Sequence, residues 1–217
     1  MSTIALSRLH YPVTALGPGR RLSIWFQGCS IQCPGCISAD TWPEGKGVTT
    51  IASVLDAVEL WIREADGITI SGGEPFDQPD ALADLLRELR ARSPVDTLVY
   101  SGYPFEALTG WLDRNPGLID AIMTEPYDER SPQTLALRGS DNQSLHTLTA
   151  LGRSRFGALD RPTGAFDRRL DVMFDPDGTV WLAGIPTRDD LERFRAGLEA
   201  AGHEVVLSSA TRRGTRA

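Results

Sequence analysis

The sequence predicts an α/β fold: a partial (β/α) barrel carrying a small C-terminal hairpin-helix-strand module. Three observations predict it. Strand-like and helix-like segments alternate through the first two thirds of the 217 residues. Each glycine-rich or polar cluster there falls directly after a strand-like run. Beyond residue 168 the pattern changes to two alternating segments around Asp175-Pro176-Asp177-Gly178, a hairpin signal. Strand–helix–strand spacing of this kind implies parallel strands with right-handed crossovers. Their carboxyl ends are where such folds build sites. The units number four or five, too few for the eight of a closed barrel.

Taken in order, Leu22–Gln27 is a short apolar run that feeds into Gly28, with Trp25 and Phe26 expected in the core. Thr49 or Thr50 caps a helix whose apolar positions Ile51, Val54, Leu55, Val58 and Ile62 follow helical spacing. Gly67–Ser71 reads as a buried strand ending in Gly72-Gly73-Glu74-Pro75. Pro79 suits the first turn of a helix bearing Leu82, Leu85, Leu86 and Leu89. Thr97–Tyr100 is a strand ending in Ser101-Gly102-Tyr103, and residues 104–114 read as helix. Leu118–Met123 is a further strand, ending in Thr124-Glu125-Pro126-Tyr127. Residues 139–168 read as long loops around a short strand near Leu145–Leu151. Thr187, with Asp190 at the capping-box position, starts a helix that Gly202 ends; Glu204–Leu207 reads as a last strand. The expected division is a core of residues 1–152 and an extension of 153–217.

A formal charge of −7 argues against a general nucleic-acid or anionic-membrane surface. The basic run Thr211–Arg216 reads as a solvated end. No apolar run has the length of a signal peptide or a membrane span. The cysteines number three, an odd set with tight spacing, which fits reduced thiolates and a cytoplasmic location.

Those cysteines, Cys29, Cys33 and Cys36, form C-x3-C-x2-C in one loop. Thiolates select zinc or iron–sulfur clusters. A structural zinc would need a fourth ligand from His10, His146 or His203, all distant in sequence, and no second C-x2-C is present. A [4Fe–4S] cluster with one iron left open accounts for three thiolates without a fourth. A free redox trio is the weaker alternative, because an acidic chain does little to lower thiol pKa values.

A C-x3-C-x2-C loop after a first strand resembles the radical S-adenosylmethionine (SAM) superfamily. Ser71-Gly72-Gly73-Glu74-Pro75 resembles that family's GGE motif. The resemblance implies a partial barrel of the radical SAM type. It also implies a cluster on Cys29, Cys33 and Cys36, whose exposed iron binds SAM and cleaves it reductively to a 5′-deoxyadenosyl radical. Gly72, Gly73 and Glu74 would hold the methionyl ammonium, glycines admitting the backbone and a carboxylate meeting a cation. Ser101, Tyr103 and Asn142 would lie near the nucleoside or carboxylate. Trp42 is expected either over the cluster or in the core, and Arg138 either on SAM's carboxylate or on a buried aspartate such as Asp120.

Gly17-Pro18-Gly19-Arg20-Arg21, Thr41-Trp42 and Arg138-Gly139-Ser140-Asp141-Asn142-Gln143 further resemble activating enzymes of glycyl radical enzymes, closest to the anaerobic ribonucleotide reductase branch. Members of that branch often carry D-G-P-F where this chain has Thr124-Glu125-Pro126-Tyr127. The resemblance covers residues 15–145 and implies a glycyl radical enzyme as partner and a flavodoxin or ferredoxin-type reductant. The alternatives are a stand-alone radical SAM enzyme acting on a small molecule or peptide, and a non-catalytic zinc or electron-carrier module.

Overall fold

A computed structural model describes residues 2–164, 167–174 and 179–204. Its centre is a mixed seven-stranded sheet. The strands are β1 (Thr3–Val13), β2 (Arg21–Phe26), β3 (Val48–Thr50), β4 (Gly67–Gly72), β5 (Asp96–Tyr100), β6 (Ala121–Thr124) and β7 (Ser144–Thr147). Their spatial order is β3-β1-β2-β4-β5-β6-β7. The central four, β2, β4, β5 and β6, run parallel, whereas β1 and β7 are antiparallel to their neighbours. The central strands are almost wholly buried, as expected of strands covered on both faces.

Helices α1 (Ile51–Glu64), α2 (Pro79–Arg92) and α3 (Phe105–Arg114) pack on one face. The helical spacing of their apolar residues is what buries Val54, Val58, Leu85, Leu86 and Trp111 against Ile24, Phe26, Ile68, Ile70, Val99 and Ile122 of the strands. Thr50 is the cap of α1, its hydroxyl accepting from Ser53 N. The odd-numbered neighbour Trp25 points to the other face, as the strand period demands. That face is covered by α4 (Ala150–Phe156), through Phe156, and by a hairpin of β8 (Leu170–Phe174) and β9 (Val180–Gly184), after which α5 (Arg188–Ala200) follows.

The hairpin and α5 appear as expected, α5 with the full Thr187/Asp190 capping box. The turn at 175–178, the strand at Glu204–Leu207 beyond its first residue, and the basic tail lie outside the described residues. Four elements differ from the sequence expectation. β1 and β3 add antiparallel strands before and beside the first parallel one. The strand expected near Leu145–Leu151 ends at Thr147, and the loop expected to follow it holds α4. Seven residues are too few to show a helical period. Gly152 is needed there because a Cβ would strike the Asp120 carbonyl oxygen.

Candidate cluster and cofactor site

The cysteine loop leaves β2 at Phe26 and is tied down on both sides. Gly28 N donates to Thr41 O (2.8 Å) and Cys29 N to Trp42 O (3.2 Å), closing the loop on its own far end. Gly73 N donates to Phe26 O (2.8 Å) and Glu74 N to Gly28 O (2.9 Å), joining it to the turn after β4. The two glycines make this junction possible. Gly72 has φ +104°, and a Cβ there would sit 2.5 Å from Phe26 N; one at Gly73 would overlap the Gly28 carbonyl oxygen. Asp77, just past the Gly-Gly-Glu-Pro turn, accepts from Ser30 N (2.7 Å), Ser30 Oγ (2.9 Å) and the Tyr103 hydroxyl (2.8 Å). Sequence reasoning missed Asp77; its signal was a carboxylate in the same turn as the motif.

The three thiols are half-buried and not disulfide-bonded. Burial raises all three, Cys36 to about 11, where a hydrogen bond from the Trp42 side chain pulls the other way. Trp42 thus sits against the third cysteine. Thiols raised by burial suit ligation, because the charge of a bound metal centre deprotonates them. Among the described residues no three His, Cys, Asp or Glu side chains converge closely enough to hold one ion. Three thiols without a fourth protein thiolate suit a cluster that leaves one iron open.

Glu74 lies within electrostatic reach of Cys29 and Cys33. It is 1% exposed. Its carboxylate accepts from Phe76 N (3.0 Å), Ser101 Oγ (2.9 Å) and Gly102 N (2.8 Å). All are neutral donors, and among the described residues Glu74 has no ion-pair partner. Burial pushes it up to about 7 despite those bonds. A buried carboxylate without a cation fits a ligand that brings one.

A cavity of about 490 Å³ opens beside this constellation. Gly35, Cys36, Ile37 and Ser38 form one side, and Trp25, Ser71, Gly72 and Tyr100 of the strands form its base. Tyr127, Gln133 and Gln143 close another side, and β9 with the start of α5 the last. Of the expected site residues, Cys36 and Gly72 line it; Cys29, Cys33, Gly73, Glu74, Ser101, Tyr103 and Asn142 do not. Ser101 is instead held between Glu74 and Tyr103 N (3.1 Å). Asn142 Nδ2 donates to Pro126 O (2.8 Å), and Gln143 Nε2 to Glu125 O (3.1 Å), so these amides fix one loop against the next. Arg138 is not paired with Asp120: it is buried, with Nη2 on Asp160 (2.7 Å), while Asp120 is held by Arg90 (2.6 Å). Arg21 of the Gly-Pro-Gly motif is buried at the opposite end of the sheet.

Three thiols at the carboxyl end of parallel strands, beside a cation-less carboxylate and a ligand-sized cavity, define an iron–sulfur protein of the radical SAM kind. The sequence matches the 4Fe-4S single cluster domain over residues 15–146. It is 31% identical over 150 residues to the anaerobic ribonucleoside-triphosphate reductase-activating protein of Escherichia coli K12, covering 64% of this chain and 96% of that protein. It is 30% identical to the protein of that name from Enterobacteria phage T4 (61% and 87% covered). It is also 32% identical to the pyruvate formate-lyase-activating enzyme of Listeria monocytogenes, over 55% of this chain and 49% of the relative. The chain belongs to this family of radical SAM activating proteins. Among the described residues no helix is long and apolar enough to cross a membrane.

Proposed function

We infer that the chain is a radical SAM oxidoreductase that activates a partner glycyl radical enzyme by taking a hydrogen atom from a glycine. The observation that carries this is the three-cysteine loop locked, through the backbone of Gly73 and Glu74, to a buried carboxylate that has no ion-pair partner among the described residues. The [4Fe–4S] cluster and SAM, when bound, supply one-electron cleavage of the sulfonium and hence a carbon radical able to abstract hydrogen. Cys29, Cys33 and Cys36 hold the cluster and leave one iron open. Glu74, with the Gly72–Gly73 backbone, takes the methionyl ammonium. Ser101 and Tyr103 keep that carboxylate and the cysteine loop in place, and Asn142 and Gln143 set the loop bordering the nucleoside. In this reading the sheet is the wall of a partial barrel, residues 1–152 are the core and 153–217 its extension. A flavodoxin or ferredoxin-type protein of the cytoplasm is the electron donor.

The test is to reconstitute the protein anaerobically, reduce it, add SAM and a glycyl radical enzyme encoded beside it, and record electron paramagnetic resonance. A glycyl radical doublet is expected. About four iron and four sulfide per chain exclude the zinc module. Label passing from a small molecule into 5′-deoxyadenosine, with no doublet on any partner, would establish the stand-alone enzyme instead.

A further inference from the structure

Backbone amides converge on all three thiols. Cys29 accepts from the N–H groups of Ile31 and Gln32, and Cys36 from that of Ser38, each donor in the cysteine loop or just after it. Cys33 differs: besides its own amide it accepts from the backbone N–H of Tyr127, in the turn that follows β6. Among the described residues Tyr127 is the one backbone donor to these thiols that comes from a distant segment. Its amide is held from both sides. Asn142 Nδ2 donates to Pro126 O (2.8 Å) just before it, and Asp128 N just after it donates to the buried Ser140 Oγ (3.1 Å). The ring adds a wedge. A Cβ on Gly35 would lie 3.4 Å from Tyr127 Cε1, and one on Gly139 would lie 3.2 Å from Cδ2, so the ring spans the gap between the cysteine loop and the 138–143 loop. Gly139, Ser140 and Asn142 of the Arg-Gly-Ser-Asp-Asn-Gln motif all bear on this one residue.

An N–H aimed at a ligating sulfur favours the more negative state of a cluster. One-electron reduction adds charge that spreads onto the thiolates, so the bond is stronger after reduction than before and the reduction potential rises. The electron comes from the low-potential donor, and no covalent bond forms or breaks. The bonds given by Ile31, Gln32 and Ser38 travel with the cysteine loop itself. The bond from Tyr127 exists only while two separate loops are held in register.

We propose that Tyr127 is a positioning residue for the cluster: its backbone N–H, aimed by Ser140 and Asn142 and steadied by its wedged ring, holds Cys33 and makes the cluster easier to reduce. The proposal rests on the assignment of Cys33 as a cluster ligand and adds how the segment after β6 tunes that ligand. The test is a redox titration of the cluster-loaded full chain without SAM, followed by electron paramagnetic resonance. Replacing Tyr127 by its α-hydroxy acid turns the amide into an ester and deletes the N–H while keeping the ring. The midpoint falls by about 28 mV or more, a threefold shift in the ratio of reduced to oxidised cluster at about 59 mV per tenfold for one electron. Tyr127→Phe keeps amide and ring and leaves the midpoint in place. Ser140→Ala, which releases Asp128 N, lowers the midpoint in the same direction as the ester, with circular dichroism matching wild type. A smaller fall for the ester, or a rise, overturns the proposal. So does a Tyr127→Phe midpoint that falls as far, which would assign the effect to the hydroxyl. Where the ester-bearing chain does not fold, an unmoved Ser140→Ala midpoint overturns it. Cys33→Ala is read separately: a chain that still assembles a cluster with an unchanged spectrum sinks the assignment of Cys33 as a ligand, whatever the ester does.

Discussion

The two ends of the parallel strands both bury charge, and they treat it differently. At the amino ends the Arg21 guanidinium, fully buried, donates to Thr69 Oγ1 (2.6 Å), Ile68 O (2.7 Å) and Asp96 Oδ1 (2.7 Å), and Arg155 Nε reaches the second oxygen of Asp96 (2.9 Å). Burial lowers the Arg21 pKa, and Asp96 pushes back. At the carboxyl ends Glu74 is as deeply buried but meets only neutral donors, and burial prevails. A buried ion persists where its counter-charge is built in; without one it drifts toward neutrality. The amino end is complete within the chain. In the proposed function the carboxyl end is completed by a cationic ligand.

The largest effect is expected at the complete end. Arg21→Met leaves Asp96 buried with only the half-exposed Arg155, and should lower unfolding free energy by about 3–5 kcal/mol in urea titrations. The double variant Arg21→Met/Asp96→Leu should recover most of it, because replacing a buried pair by apolar side chains is often neutral. A single variant losing under about 1 kcal/mol would erase the contrast between the ends.

At the incomplete end the prediction is a pH dependence of unusual sign. Between an ordinary 4.5 and about 7 the folded protein keeps a proton on Glu74 that the unfolded chain has released. Stability of the metal-free protein should therefore fall as pH rises through that window, by about 3 kcal/mol, the reverse of a salt-bridged carboxylate. Glu74→Gln should flatten this component and, in the loaded protein, weaken SAM binding at least tenfold. Identical pH profiles for wild type and Glu74→Gln would mean that the carboxylate is not under strain.

A smaller effect separates structure from loading at the same end. Asp77→Ala removes three hydrogen bonds to Ser30 and Tyr103, each worth about 1 kcal/mol at most because the group is exposed. Unfolding free energy should fall by about 1–2 kcal/mol. Iron retained after reconstitution and desalting should drop further in proportion, since the loop between Cys29 and Cys33 loses its tether. Full iron retention would show that the backbone bonds of Gly28 and Cys29 suffice.

What the sequence disclosed follows the range of the forces involved. Helices α1 to α3 were legible because their apolar period is local, as were the Thr187/Asp190 cap and the cysteine loop. The placing of polar turns at strand ends was legible from topology alone. β1 was not: its alternation is broken by bulges between Leu6 and Arg8 and between His10 and Val13, so no clean period survives. The partners of Arg138 and Glu74, and the wall formed by Leu182 and Leu191, depend on segments brought together from afar. Spacing cannot supply them. The Gly-Pro-Gly-Arg-Arg motif was visible as a motif, but its role in the ion pair required Asp96 and Arg155 to be seen beside it.

The finest test of the carboxyl end is Glu125. Glu125 adopts φ +80°, a left-handed conformation that an L side chain resists by about 1–2 kcal/mol. The backbone is held there from both sides, Glu125 N donating to Tyr103 O (3.1 Å) and Gln143 Nε2 to Glu125 O (3.1 Å), so the strain cannot relax without parting those loops. Glu125→Gly removes the strain, while the freer unfolded chain takes back about 0.5–1 kcal/mol. The net expectation is a gain of about 0.5–1 kcal/mol, read as a higher urea midpoint at unchanged slope. Like Glu74, Glu125 would then mark a place where the cofactor end gives up stability that the Arg21 end retains. A variant less stable than wild type would instead assign the Glu125 side chain a stabilising contact that outweighs its backbone.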